Sequence, residues 1–155
     1  MRKLLVIEDG SEYTEFARAL LGQEYLVFQA QTGAAALALL STHASSQPID
    51  ALLIDLRFDR TPVVDLLGDV KETAMRLYGG DAGRAIRYLQ DQQGILILAE
   101  ARRCSHRQPA VFVHDFPERR LHNLRKLYGE VSAVPVFDAA AILRSLRGNR
   151  QGGLS

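Results

Sequence analysis

The sequence predicts an α/β protein built on a doubly wound, five-stranded parallel sheet in the order 2-1-3-4-5. Three observations carry this. Short apolar runs without strict alternation recur along the chain, as expected of strands buried on both faces. Segments with helical spacing separate them, and strand–helix alternation implies parallel pairing through right-handed crossovers. Acids stand where the first and third runs end, at the carboxyl edge where such sheets place their ligands.

The first run is Lys3-Leu-Leu-Val-Ile-Glu8, followed at once by Asp9. Tyr13, Phe16, Ala17 and Leu20 mark a helix that Gly22 can end. Tyr25-Leu-Val-Phe-Gln-Ala30 is the second strand, and the Ala- and Leu-rich stretch Gly33 to Leu40 is the second helix. Polar residues Ser41 to Pro48 read as a loop. Ile49-Asp-Ala-Leu-Leu-Ile-Asp55-Leu is the strongest strand and carries Asp55 near its end. Ala110-Val-Phe-Val-His114 and Val131 to Phe137 supply the fourth and fifth strands. Pro117 to Tyr128 and Asp138 to Leu146 are helical, with Asp138 suited to an N-cap.

Between Asp55 and Ala110 lie 54 residues, too many for one crossover helix. Val63, Leu67, Val70, Ala74 and Leu77 mark one helix, which Gly79-Gly80 break. Asp81 caps a second with Ala82, Ala85, Ile86 and Leu89. Gly94 to Arg103 is then the crossover helix, and residues 58–93 form an inserted helical hairpin. The chain reads as a single domain over 1–148, with a flexible tail at 149–155. The two apolar stripes of the insertion are expected to pack on the flank of the sheet, with partner docking or a lid over the acids as the functional alternatives.

Composition narrows the function. A formal net charge of +1 gives no global electrostatic case for nucleic acid. The only cysteine, Cys104, cannot form an internal disulfide, which fits a reducing compartment. Glu8 and Asp9 cut short the N-terminal apolar run, so neither a signal peptide nor a membrane span is expected, and the chain reads as cytoplasmic. Arg102, Arg103, His106 and Arg107 read as a solvated helix end, His43 as a loop residue without ligand partners, and Cys104 lacks the setting of a catalytic nucleophile.

Three acids converging at strand ends suit a hard cation, and magnesium prefers oxygen ligands with some water retained. A carboxylate beside such a cation can attack a phosphoryl group and form an acyl phosphate. Glu8, Asp9 and Asp55 could otherwise simply begin solvated loops.

The segments Leu-Leu-Val-Ile-Glu8-Asp9 and Ile-Asp-Ala-Leu-Leu-Ile-Asp55-Leu resemble the response-regulator receiver domain of two-component signalling. The resemblance covers residues 3–56 well and continues more weakly through 94–146. It implies the flavodoxin-like fold and a signalling module, not an enzyme. It implies Asp55 as phosphoacceptor, and Mg2+ held by Asp9, Asp55 and the backbone carbonyl of Arg57, with Glu8 acting directly or through water. A histidine kinase or phosphotransfer protein would be the phosphodonor and a downstream protein the target. The basic helix Glu118 to Lys126, the fifth strand and the last helix correspond to the usual output and homodimer surface.

The second half departs from that pattern. His114 stands where members usually carry Thr or Ser. The usual Lys of the Lys-Pro pair falls on Val134, Pro135 or Val136, and no lysine follows Lys126. No register places an aromatic at the usual switch position. Arg57 and Arg60 are the nearest candidates for a substitute cation. The resemblance is therefore to an atypical, pseudo-receiver-like member, and a phosphate-independent interaction module is the alternative. A magnesium-dependent phosphohydrolase ranks third, because Asp55-Leu56-Arg57 lacks the second aspartate of one such family.

Overall fold

The structure is a computed structural model that describes the backbone of residues 1–154 and the side chains of residues 1–147. Its elements are β1 (Arg2–Ile7), α1 (Glu12–Leu21), β2 (Tyr25–Ala30), α2 (Gly33–His43), β3 (Ala51–Asp55), a 3-10 turn at Val63–Asp65, α3 (Val70–Leu77), α4 (Ala82–Asp91), α5 (Gln93–Arg103), β4 (Ala110–Val113), α6 (Glu118–Tyr128), β5 (Val131–Val134) and α7 (Ala139–Leu154). The expected flexible tail at 149–155 falls on residues whose side chains, and in Ser155 also the backbone, lie outside the described residues.

All strand pairs are parallel and run in the order β2-β1-β3-β4-β5. The sheet divides the core by side-chain alternation. Leu5, Ile7, Leu52, Ile54, Ala110, Phe112 and Val131 point to one face and meet buried residues of α2, α5 and α6, among them Leu40, Ile97, Leu98 and Leu124. Leu4, Val6, Leu53, Val111, Val113 and Val134 point to the other face and meet Ala17, Leu21, Ile142 and Leu146 of α1 and α7. Both faces being covered explains why the central strands read as continuous apolar runs.

Three helices fill the connection from β3 to β4. The first begins later than its spacing suggests. Val63 to Asp65 is only a 3-10 turn, Gly68 takes a φ of 107°, and α3 starts after Asp69, whose carboxylate accepts from the Glu72 N–H at 3.0 Å. Asp81 caps α4 in the same way through the Arg84 N–H at 3.1 Å. Of the expected first stripe only Ala74 is buried, and Val63 and Leu77 are exposed; Leu66, outside that stripe, and Ala85 and Leu89 of the second carry the rest of the inward packing. Val64 and Met75 remain exposed.

Other local expectations shift. On α1 the buried residues are Thr14, Ala17 and Leu21, while Phe16 and Leu20 are exposed, because the sheet lies one position round the helix from the apolar stripe. Helix α2 runs on to His43, three residues into the expected loop. There His43 is not isolated: its Nδ1 lies 3.0 Å from the amine of Lys3, which also donates to the Gln47 carbonyl. Arg102 is buried, not solvated. Its guanidinium donates to the carbonyls of Tyr128, His106 and Glu130, joining the end of α5 to the turn between α6 and β5. Among the described residues, no helix is long and apolar enough to cross a membrane.

Candidate functional site

Strand order determines which acids meet. β1 and β3 are neighbours in register, Ile7 opposite Ile54, so Glu8 and Asp9 leave one strand beside Asp55 at the end of the next. The three carboxyls share one end of the sheet, and their electrostatics record it. Burial first, then the charges of Asp9 and Glu8, push the Asp55 carboxyl up to about 6, against the opposing backbone N–H groups of Leu56 and Arg57. Tyr13 also borders the pocket: burial, and then the carboxylates of Asp55, Glu8 and Glu12, push its phenol up.

The acids are held differently. Glu8 is 2% exposed and turns toward α1. Its Oε2 accepts from the Thr14 N–H at 2.7 Å and the Thr14 hydroxyl at 2.8 Å, and its Oε1 from the Tyr13 N–H at 3.2 Å. It thereby satisfies the first-turn donors that Ser11, the N-cap residue, leaves free. Asp9 is tied across the pocket, its Oδ2 accepting from the Arg60 N–H at 2.8 Å. Gly10 links these two arrangements, and its carbonyl accepts from the amides of Gln29 and Gln31 at 3.0 and 3.1 Å.

Two residues behind Asp55 escaped the sequence reading. Gly94, in the first turn of α5, donates its N–H to the Leu56 carbonyl at 2.9 Å and lies against the backbone of Asp55. Gln93 is fully buried. Its amide accepts from the Leu67 N–H at 2.7 Å and donates to the carbonyls of Leu67 and Leu89, clamping the loop that follows the acid. A Gln-Gly pair opening an apolar helix was the available signal.

His114 leaves β4 one residue beyond Val113, which lies opposite Asp55 in register. Its N–H donates to the Val134 carbonyl at 2.8 Å, and its ring packs edge-on against Phe116 with centroids 4.7 Å apart. Burial, then Arg57 and Arg120, push the imidazole below the usual histidine range, while Asp115 pulls the other way. The ring makes no hydrogen bond among the described residues. β5 ends at Val134, so the residue leaving it is Pro135, and Val136 beyond it is 67% exposed. Phe137 turns back to stack on Tyr13 at 5.8 Å.

Among the described residues, no group of three or more His, Cys, Asp or Glu side chains is arranged to hold a metal ion. With Glu8 committed to α1, the remaining side-chain donors are the carboxylates of Asp9 and Asp55. That set fits magnesium, which is commonly bound through one or two carboxylates and keeps several waters.

The chain has the fold of response-regulator receiver domains, as solved structures demonstrate. A receiver domain protein of Clostridium thermocellum superposes with a TM-score of 0.62 at 17% identity, covering 100% of both chains. A chemotaxis protein of Vibrio cholerae gives 0.60 at 18% identity, covering 96% of this chain and 98% of its own. The signal receiver domain of an HD domain-containing protein of Pseudomonas fluorescens gives 0.62 at 14% identity, covering 97% and 95%. At these identities the likeness is one of fold. No family model matches the sequence, and no curated protein matches it.

Proposed function

We propose that the chain is a receiver-like signalling module that accepts a phosphoryl group on Asp55. The observation that carries this reading is the elevation of Asp55 to about 6 by burial and by Asp9 and Glu8, which marks a carboxyl poised in a crowded anionic pocket at a strand end. A structural ion pair would lower it instead. The receiver fold supports the same reading.

In this reading Asp9 and Asp55 hold Mg2+ with the backbone carbonyl of Arg57, and Glu8 acts through water because its oxygens serve α1. The bound cation would screen the Asp55 carboxylate from the incoming phosphoryl oxygens. The Asp55 oxygen attacks phosphorus, and the P–N bond of the donor's phosphohistidine breaks with its electron pair staying on the imidazole nitrogen. A histidine kinase or phosphotransfer protein would be the donor. Output would run through protein contacts, with α6, β5 and α7 as the homodimer or partner surface, in the cytoplasm.

A second reading, a phosphate-independent interaction module, is favoured by one observation. None of Val134, Pro135 and Val136, among which the usual phosphate-sensing Lys position falls, is a lysine, and His114 rests on Phe116 where a hydroxyl is usual. A ligand shifts an equilibrium only through contacts that differ between the two states. Intact mass after incubation with Mg2+ and a small phosphodonor separates the readings. One alkali-labile phosphoryl adduct on the wild type, absent from Asp55→Asn, supports the first. No adduct on either leaves the second.

A further inference from the structure

We propose that Arg60 is the cation that reads a phosphoryl group on Asp55, resting on Glu12 in the unmodified chain and moving to the phosphoryl oxygens when Asp55 is modified. This rests on the reading of Asp55 as phosphoacceptor. Arg60 is anchored at the pocket by its own backbone, whose N–H donates to Asp9 Oδ2 at 2.8 Å. Its guanidinium donates to Glu12 Oε1 at 2.9 Å across the rim, both side chains more than half exposed. The pair lies over Gly10: a methyl group there would meet Glu12 Oε2 at 2.3 Å and Arg60 Nη1 at 2.6 Å. Gly10 therefore leaves the space the latch occupies.

Charge fits the role. Glu12 above all, then Asp9 and Glu8, favour the protonated guanidinium. Arg60 thus sits within the field of two of the three pocket acids, on a long side chain whose root is fixed and whose head is held by one solvent-exposed pair. Such pairs are weakly held. An arginine–phosphoryl contact is charge-assisted and can be bidentate, so modification of Asp55 offers the head a stronger partner. None of the three lysines does this work: Lys3 donates to Gln47 beside His43, Lys71 belongs to α3, and Lys126 to α6. The Arg57 charge acts on His114.

The test uses beryllofluoride with Mg2+, in which a Be–O bond forms to the Asp55 carboxylate as water leaves beryllium. Affinity is measured by fluorine NMR, and the Arg60 Nε–Hε resonance, assigned by its loss in R60Q, is followed by proton–nitrogen NMR. R60Q should weaken the adduct roughly tenfold, R60K less, and E12Q should strengthen it several-fold by freeing the guanidinium. R76Q, at the Arg76–Glu72 pair on α3, should leave it unchanged. In the wild type the Arg60 resonance should move on adduct formation. An adduct equally tight in R60Q, with the wild-type Arg60 resonance unmoved, overturns this inference alone. No adduct on the wild type overturns the phosphoacceptor reading and this inference together.

Discussion

Gly94 lies directly against the backbone of Asp55: a methyl group added at Gly94 would stand 2.3 Å from the Asp55 carbonyl oxygen and 3.0 Å from the Leu56 Cα. Both are backbone atoms near the end of a central strand, so neither can swing aside. The first turn of α5 and the acid-bearing end of β3 are therefore a single packed unit.

Gly94→Ala should destabilise the fold. Overpacking costs about 1–3 kcal/mol, and the better helix propensity of alanine returns about 0.5–1 kcal/mol of it. The expected net loss, about 1–2 kcal/mol by urea denaturation, should come with slower adduct formation at Asp55 in the mass assay. An unchanged midpoint would mean that α5 can slide away from β3.

Asp55 gives a pH signature. Its folded value of about 6 lies above the ordinary carboxylate value of 3.8, so the native state binds the proton more tightly than the unfolded chain. Ionisation therefore costs stability, progressively from about pH 4 to pH 6 and fully above that. Two units would be about 3 kcal/mol, and solvent screening of a partly exposed group reduces this to about 1–2 kcal/mol. Asp55→Asn should be more stable than the wild type at pH 8 by that amount and equal to it near pH 4. Mg2+ should raise the wild-type melting temperature and leave that of Asp55→Asn nearly unchanged.

His114 should titrate below the free imidazole value, seen by NMR of its ring protons. Arg57→Ala and Arg120→Ala should each bring the value upward, since each removes a like charge. The folded value being depressed, this histidine destabilises the native state as pH falls through the unfolded value toward the folded one. A value above the free imidazole's would place the ring beside the acids instead of on Phe116.

Arg102 should matter to stability more than its surface-like sequence suggests. Three carbonyls depend on it across the join between α5 and the α6–β5 turn. Arg102→Ala should cost about 2–4 kcal/mol in chemical denaturation, and Arg102→Lys should recover only part, because an ammonium cannot reproduce the planar fork.

The legible part of the molecule was its central frame. Runs such as Leu4 to Ile7 and Leu52 to Ile54 are apolar without alternation because helices cover both faces, and that pattern survives without any knowledge of contacts. Sheet order then brings Glu8, Asp9 and Asp55 to one end. What could not be read was direction. Nothing in the sequence says that Glu8 turns to Thr14 while Asp9 turns to the Arg60 backbone, because both depend on how loops cross the pocket. Arg102 was opaque for a similar reason: its partners are main-chain carbonyls, which carry no residue signature. The late start of α3 reflects a local competition, in which the Asp69 cap and the left-handed Gly68 override an apolar spacing that would otherwise continue from Val63.

The long connection from β3 to β4 bears on how the chain folds. Asp55 pairs with Val113, so the sheet's central seam joins residues far apart in sequence, whereas β1, β2 and β3 pair within the first 55. Closing a longer loop adds only slowly to the entropic cost, but it must be met before the seam returns any energy. Helices α3 and α4 shorten that loop, since their capped ends at Asp69 and Asp81 are local and can form early. The acids of β1 and β3 would thus come together in an N-terminal nucleus, and β4, β5 and α7 would dock last. Stopped-flow refolding should then be slowed by removal of the Asp69 and Asp81 caps.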